Sequence, residues 1–456
     1  MAAPAPRRLT LLSLSAATFF IVSGGPYGLE DVVAGHGYAG ALLLLLVLPV
    51  AWSLPVALLV GELGSALPET GGYYPWVKRA LGPFWGLQEA WLSLAVTIVD
   101  LAIYPALLVA YLGQLWPALG SLELGTAGWG VAVGAIALCA AWNALGIRAV
   151  GVGSEWLAAL ILAPFAAIAV LALASLPGGG LARAAGSLRA PPPAAGDSAW
   201  VAGLIACLWN YMGWDNASTF AAEVESPQRT YPLAMLLTLA AVTACYVLPV
   251  LAATATGLPP ATWAAGTWVE VARRLGGEPL AGLVVAGGAV TAVGMFNAIL
   301  LSWTRLPVAL AEDGLLPAAF ARRSARTGAP MPSILLGALL CAALVGLGLR
   351  RLFALDVLIY GAALLLEFAA LLALRLREPD LPRPFRVPGG LAGVLLVSAA
   401  PAALLGVAAW TARAEPAGLG LSALQVAGLV VAAGLAWYVA AGRAAAGSAG
   451  RPGSGG

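Results

Sequence analysis

Apolar residues run through this chain in long blocks, and the polar residues between the blocks recur at intervals suited to a membrane. Crossing the hydrocarbon of a bilayer takes about 20 residues of helix. The pattern predicts about twelve spans, near residues 10–34, 39–66, 84–113, 127–143, 154–176, 199–222, 232–257, 280–310, 332–349, 353–374, 391–411 and 420–441. Two spans are interrupted. The first contains Ser23-Gly24-Gly25-Pro26-Tyr27-Gly28, and the sixth contains Asn210-Tyr211-Met212-Gly213-Trp214-Asp215-Asn216. Lipid offers no partner to unwound backbone, so such a break survives only where it lines a cavity inside the protein.

The breaks lie five spans apart. Because five is odd, spans 1–5 and 6–10 form two halves of opposite orientation, the inverted repeat of broken-helix transporters, with the binding site at the breaks. The expected fold is an all-α integral membrane protein with a 5+5 inverted-repeat core and two peripheral helices. Residues 1–441 form one transporter domain: repeat 1 at about 10–176, repeat 2 at about 199–374 and peripheral helices at about 391–441. The Gly/Ser-rich stretch within 442–456 reads as a disordered cytoplasmic tail.

Composition agrees with a lipid solvent. Of the 456 residues 61% are hydrophobic and 10% charged, with mean hydropathy +0.91, whereas a soluble domain carries roughly 25% charged residues. A net charge of +2 is too small to imply a nucleic-acid partner. The one histidine, His36, excludes a multi-His metal site, and the four cysteines sit in apolar spans as small hydrophobes. No cofactor is expected, and no paired nucleophile and base suggests an enzyme. The run that follows Arg7 and Arg8 is too long for a signal peptide and reads as the first span. Placing the N-terminus inside puts fifteen Lys and Arg residues in cytoplasmic loops and seven outside. That asymmetry favours both termini in the cytoplasm of a cell-membrane protein. Oligomeric state is left open.

Candidate chemistry concentrates at the breaks and in the third span. Gly24 and Gly25 allow backbone to approach a ligand, and the half-helix that follows points its positive end at the site. Pro26 removes one N–H donor that a substrate carboxylate would use. Glu30 and Asp31 follow, either as ligands or as helix-end stabilisers. Asp100, deep in the third span with Tyr104 one turn on, needs a partner, a proton or a watery cavity. Asp215 follows Gly213 at the second break, and Trp209 precedes it, placed to stack on an amine or to pack. Glu223 and Glu225 are expected to pair with Arg229 or Arg79. Asn297, Ser302 and Thr304 read as sodium ligands or as glue between helices. Asp356 and Glu367, in the tenth span, receive no role.

These stretches resemble a known family. Ser23 to Tyr27 sits where the amino acid–polyamine–organocation transporter superfamily has its G-S-G-I-F break. Glu225-Ser226-Pro227-Gln228-Arg229-Thr230-Tyr231-Pro232 is similar to the exit of that family's sixth helix, and Glu312-Asp313-Gly314-Leu315-Leu316-Pro317 to its eighth-helix signature. The match runs from about Leu9 to Arg386. Gly24 to Asp31, Pro68-Glu69-Thr70-Gly71-Gly72-Tyr73-Tyr74-Pro75-Trp76-Val77 and Asp100 to Pro105 most resemble the plant-type and trypanosomatid polyamine uptake branch. The resemblance implies a proton-coupled importer or exchanger of polyamines, with an amino-acid permease or exchanger as the alternative. By position, Trp209 resembles the substrate-gating aromatic of arginine–agmatine exchangers, Asp215 their proton-responsive acid, and Asp100 a polar substrate contact. The fifth span has no Lys, which some proton-coupled members use in place of sodium, so the coupling ion stays open. The expected substrate site is Gly24, Gly25, Tyr27, Glu30, Asp100, Tyr104, Trp209, Asn210 and Asp215. Asp215 and Glu30 are the expected proton carriers, and the small-molecule substrate, the proton and the lipid bilayer are the expected partners.

Overall fold

The computed structural model describes residues 10–69, 72–119, 125–145, 154–193, 196–312, 316–418 and 420–449. Arg7, Arg8, Arg148 and Arg451, with Thr70-Gly71 and Asp313-Gly314-Leu315 of the two motifs, lie outside the described residues. Helix α1 (Leu11–Val22) opens with a capping box in which the Thr10 amide donates to Ser13 Oγ at 2.8 Å and the Ser13 amide to Thr10 Oγ1 at 3.4 Å. It stops at the Gly-Gly-Pro sequence, where Gly25 takes φ 92°. Helix α2 (Glu30–Leu48) resumes the first span and then turns back at Gly37, whose φ of 67° only glycine adopts without strain. After a short π-helical turn at Pro49–Ser53, α3 (Leu54–Ala66) completes the second span.

Most of the remaining helices follow the hydrophobic pattern, and two short amphipathic ones, Tyr73–Leu81 and Leu181–Arg189, lie between the predicted spans. In chain order the next helices are α4 (Tyr73–Leu81), α5 (Pro83–Leu112), α6 (Thr126–Ala144), α7 (Ser154–Ser175), α8 (Leu181–Arg189) and α9 (Gly196–Asn210). A 3₁₀ segment at Trp214–Glu223 is followed by α10 (Pro227–Thr254), α11 (Trp268–Trp303), α12 (Arg305–Glu312) and α13 (Met331–Leu344). The chain ends with α14 (Leu349–Arg377), α15 (Gly390–Ala412) and α16 (Ala423–Ala449), the last two joined by an antiparallel pair, β1 (Pro416–Gly418) and β2 (Leu421–Ser422). The sixth span is broken where expected: α9 ends at Asn210 and Gly213 takes φ 90°.

Three boundaries differ from expectation. The span predicted to reach residue 310 stops at Trp303, and α12 is a separate short helix. The segment before it carries an extra helical stretch from Trp268, bent at Gly277 with φ 71°. Helix α16 runs to Ala449, past the boundary at 441.

Eight helical stretches among the described residues are long and apolar enough to cross a bilayer, and three shorter apolar helices accompany them. In the most apolar window of α5, and likewise of α14, 67% of residues are buried, against 22% for α15. The first two therefore form the middle of the bundle, and α15 presents mostly leucine and alanine to lipid. Ion pairs mark the two ends. Arg350 Nη2 meets Asp31 Oδ1 at 3.1 Å at one end. At the other, Arg375 grips both oxygens of the buried Glu62 at 2.6 Å, and the Val387 amide donates to Glu62 Oε2 at 2.7 Å.

Candidate functional site

Both breaks open onto one cavity of about 110 Å³. Gly24 and Tyr27 reach it from the first break, Asp100 and Tyr104 from α5, and Trp209, Asn210 and Asp215 from the second break. Seven of the nine expected binding residues are thus brought together from three distant parts of the chain. Close packing explains Gly24: a Cβ there would sit 3.1 Å from Thr291 Cγ2.

Trp209 lines the cavity with a half-buried ring. Its ring stacks on Phe353, centroids 4.5 Å apart and planes at 28°, and its indole N–H points to Asp100 Oδ1 at 3.4 Å. Phe353 lies one turn before Asp356 on α14, so the stacked pair sits on the side of Asp356 nearer Arg350. On the far side of the cavity Tyr360 donates to the Asp215 carboxylate and accepts from the Gly213 amide at 3.2 Å. The unwound backbone is thereby tied to α14.

Two expected residues do not line the cavity. Gly25 is buried behind it, its amide donating to Ser23 Oγ at 3.2 Å. Glu30, the larger correction, is 1% exposed and fully engaged. Tyr111 and the Gly266 amide (3.0 Å) donate to Oε1, and the Gly28 amide (2.8 Å) donates to Oε2. Its carboxylate ties the start of α2 to α5 and to the loop before α11, because the half-helix start offers free N–H groups that an acid satisfies. The helix-end reading of Asp31 is matched by its ion pair with Arg350.

Other assignments move as well. Arg79 pairs with Glu378, Nη2 to Oε2 at 2.7 Å, and among the described residues not with Glu225, because α4 packs beside the end of α14. The Glu225 carbonyl accepts from Thr230, and the Glu223 side chain lies outside the described residues. The Arg79 guanidinium holds the Glu378 carboxyl below its usual range. Asn297 joins helices: Asn143 Nδ2 donates to its Oδ1 at 2.8 Å, and its own amide donates to the Val293 carbonyl at 3.0 Å.

The sequence reading missed the contribution of α14. Asp356 lines the cavity, is 2% exposed, and its Oδ1 has no hydrogen-bond partner among the described residues. It lies within electrostatic reach of Asp100 across the site. Phe353, Asp356, Tyr360, Ala363 and Glu367 recur at three- and four-residue steps, as do Glu89, Ser93, Thr97, Asp100 and Tyr104 on α5. Each set forms one stripe of a helix. That periodicity of polar residues inside apolar spans was the available signal. Lys, Arg and His are absent from the residues lining the cavity.

Comparison with known proteins is consistent with this architecture. The amino acid permease family profile matches residues 12–432. The chain is 36% identical over 423 residues to Polyamine transporter PUT1 of Oryza sativa subsp. japonica, covering 92% of this chain and 75% of that protein. It is 33% identical over 426 residues to Polyamine transporter RMV1 of Arabidopsis thaliana, covering 93% and 84%. The solved structure of MhsT in complex with L-phenylalanine superimposes with a TM-score of 0.61 at 14% identity, over 88% of this chain and 98% of that one. At that identity the likeness is one of fold.

Proposed function

The chain belongs to the amino acid permease family, and from that premise we propose that it carries a small cationic substrate, a linear polyamine such as putrescine or spermidine, inward together with protons. One observation carries the reading: the central cavity is lined by three carboxylates, Asp100, Asp356 and Asp215, and, among the described residues, by no basic side chain. Carboxylates buried in apolar surroundings are costly unless a cation or proton balances them. A diamine brings two positive charges to such a place, and Trp209 and Tyr104 supply aromatic surface for its methylenes and ammonium groups.

An amino acid is the poorer fit. Its carboxylate needs free backbone donors at the first break. There the Gly25 amide is spent on Ser23, the Gly28 amide on Glu30, and Pro26 has none. The named activity of the two polyamine transporters points the same way. In this reading the Glu62–Arg375 end faces the cytoplasm, as the excess of Lys and Arg in those loops favours. The substrate passes from the other side as the half-helices at the breaks rock about the fixed site. Asp100 and Asp356 are the steady ligands, on unbroken helices. Asp215, beside unwound backbone, senses the change of state.

Competition in proteoliposomes tests the proposal. Radiolabelled putrescine uptake should be blocked by spermidine and left intact by leucine or alanine. Asp100→Asn and Asp356→Asn should each weaken amine binding by about 1.5–3 kcal/mol, roughly 10- to 150-fold, the worth of a charged hydrogen bond. Asp215→Asn should bind measurably yet lose the pH dependence of uptake. Stabilisation of the purified protein by neutral amino acids, with no response to polyamines, would replace this reading with an amino-acid permease.

A further inference from the structure

Beyond the cavity, toward the Glu62–Arg375 end, the stripes on α5 and α14 meet a second time. Eleven residues separate Glu89 from Asp100 on α5, and eleven separate Asp356 from Glu367 on α14. Eleven residues are about three helical turns, roughly 16 Å, so both acids of each helix share one face. Helices α5 and α14 pack against each other, and Asp100 is within electrostatic reach of Asp356 as Glu89 is of Glu367, so the two helices run antiparallel with two carboxyl pairs in matching register.

The second pair is built differently from the first. Glu89 is 0% exposed and Glu367 1%. Neither lines the cavity, and among the described residues Oε2 of each has no hydrogen-bond partner. Ser93 Oγ donates to Glu89 Oε1 at 3.4 Å. Among the described residues, the groups coupled electrostatically to the pair are Asp215 from the 3₁₀ segment, Tyr73 from α4 and Tyr360 from α14, with Ser93 of α5 hydrogen-bonded to Glu89, all acids or hydroxyls. Among the described residues no Lys, Arg or His forms an ion pair with either glutamate. Two carboxyl groups with unused oxygens and no base beside them are sustained by a bound cation or a shared proton. Neither glutamate lines the cavity that would hold the amine. A proton needs only neighbouring oxygens, and Asp215, Tyr360, Tyr73 and Ser93 provide them.

We propose that Glu89 and Glu367 together form the station that holds the coupling proton. When the amine enters, its ammonium groups engage Asp100, Asp356 and Asp215. The O–H bond of protonated Asp215 breaks, an O–H bond forms on the glutamate pair, and the ammonium balances the charge left on Asp215. Amine and proton then occupy adjacent places at once, as symport requires, and the proton leaves toward Arg375.

This assignment rests on the proton-coupled reading, and one experiment separates the two. Wild type, Glu89→Gln and Glu367→Gln are reconstituted, and putrescine is followed both in amine–amine exchange without a gradient and in accumulation driven by an imposed pH gradient. Exchange should persist in both variants, while gradient-driven accumulation should fall by about tenfold or more, the effect of one pK unit of lost coupling. Variants that still accumulate amine like a coupled wild type overturn the assignment alone. So do variants that lose exchange and accumulation together, which marks a packing role. A wild type indifferent to the gradient sinks the coupling reading and this assignment with it. If the variants do not fold, infrared difference spectra of the wild type give the second readout. Amine addition should shift the carbonyl stretch of a protonated carboxyl group as the proton changes residue, and an unmoved band overturns the proposal.

Discussion

The Tyr360 hydroxyl donates to Asp215 and accepts from the Gly213 amide, so a single side chain on α14 holds both the acid and the unwound backbone of the sixth-span break. Tyr360→Phe keeps the ring and removes both bonds. A buried acceptor and a backbone N–H then lose their partner, at about 1–3 kcal/mol for each group left unsatisfied. The variant should melt at lower temperature in detergent, and uptake should fall more than amine binding, because geometry at the break is what changes between states. Unchanged melting together with unchanged uptake would show the bonds to be dispensable.

Trp209 should show a graded response. Trp209→Ala removes the stack on Phe353 and the N–H directed at Asp100. Amine affinity should drop by about 0.5–2 kcal/mol, the range for aromatic and cation–π contacts. Trp209→Phe keeps a stacking surface and should recover part of that loss. Calorimetric titration of both variants decides it, and equal affinity across the series would reduce Trp209 to packing.

Glu30 and Glu62 should behave as structural acids, with different signatures. Glu30→Gln sets an amide among three donors and should cost about 1–3 kcal/mol of stability while leaving amine affinity near wild type. Glu62→Gln breaks a buried pair with Arg375 and should cost about 3–5 kcal/mol. By contrast, the exposed Arg79–Glu378 pair should be worth less than about 1 kcal/mol. Glu378 titrates below its unfolded value, so its contribution is present above the ordinary carboxylate range and fades as pH falls through the lowered value. Denaturation of the three variants from acid to neutral pH orders them, and a large Arg79→Ala effect would contradict the exposure argument.

Much of this protein was readable from residue order. Long apolar blocks force helices because lipid leaves backbone groups no other partners. The breaks at Ser23–Gly28 and Tyr211–Gly213 declare themselves through glycine, proline and a stranded acid, and these are local signals. The identities of Asp100, Trp209 and Asp215 as cavity residues follow from the same logic, since a polar group in an apolar span needs a reason. What residue order alone left undecided was partnership. Glu30 and Asp215 look alike as acids beside a break, yet Tyr111, Gly28 and Gly266 enclose the first, while the second faces the cavity with Tyr360. Tyr111, Gly266 and Tyr360 come from segments remote in the chain, so only packing decides which acid is enclosed and which also faces the cavity. Asp356, Glu89 and Glu367 gain meaning in the same way, when α5 and α14 lie antiparallel and bring acids at equal spacing face to face. Local chemistry selects the helix and its breaks, and the tertiary register selects which polar groups meet.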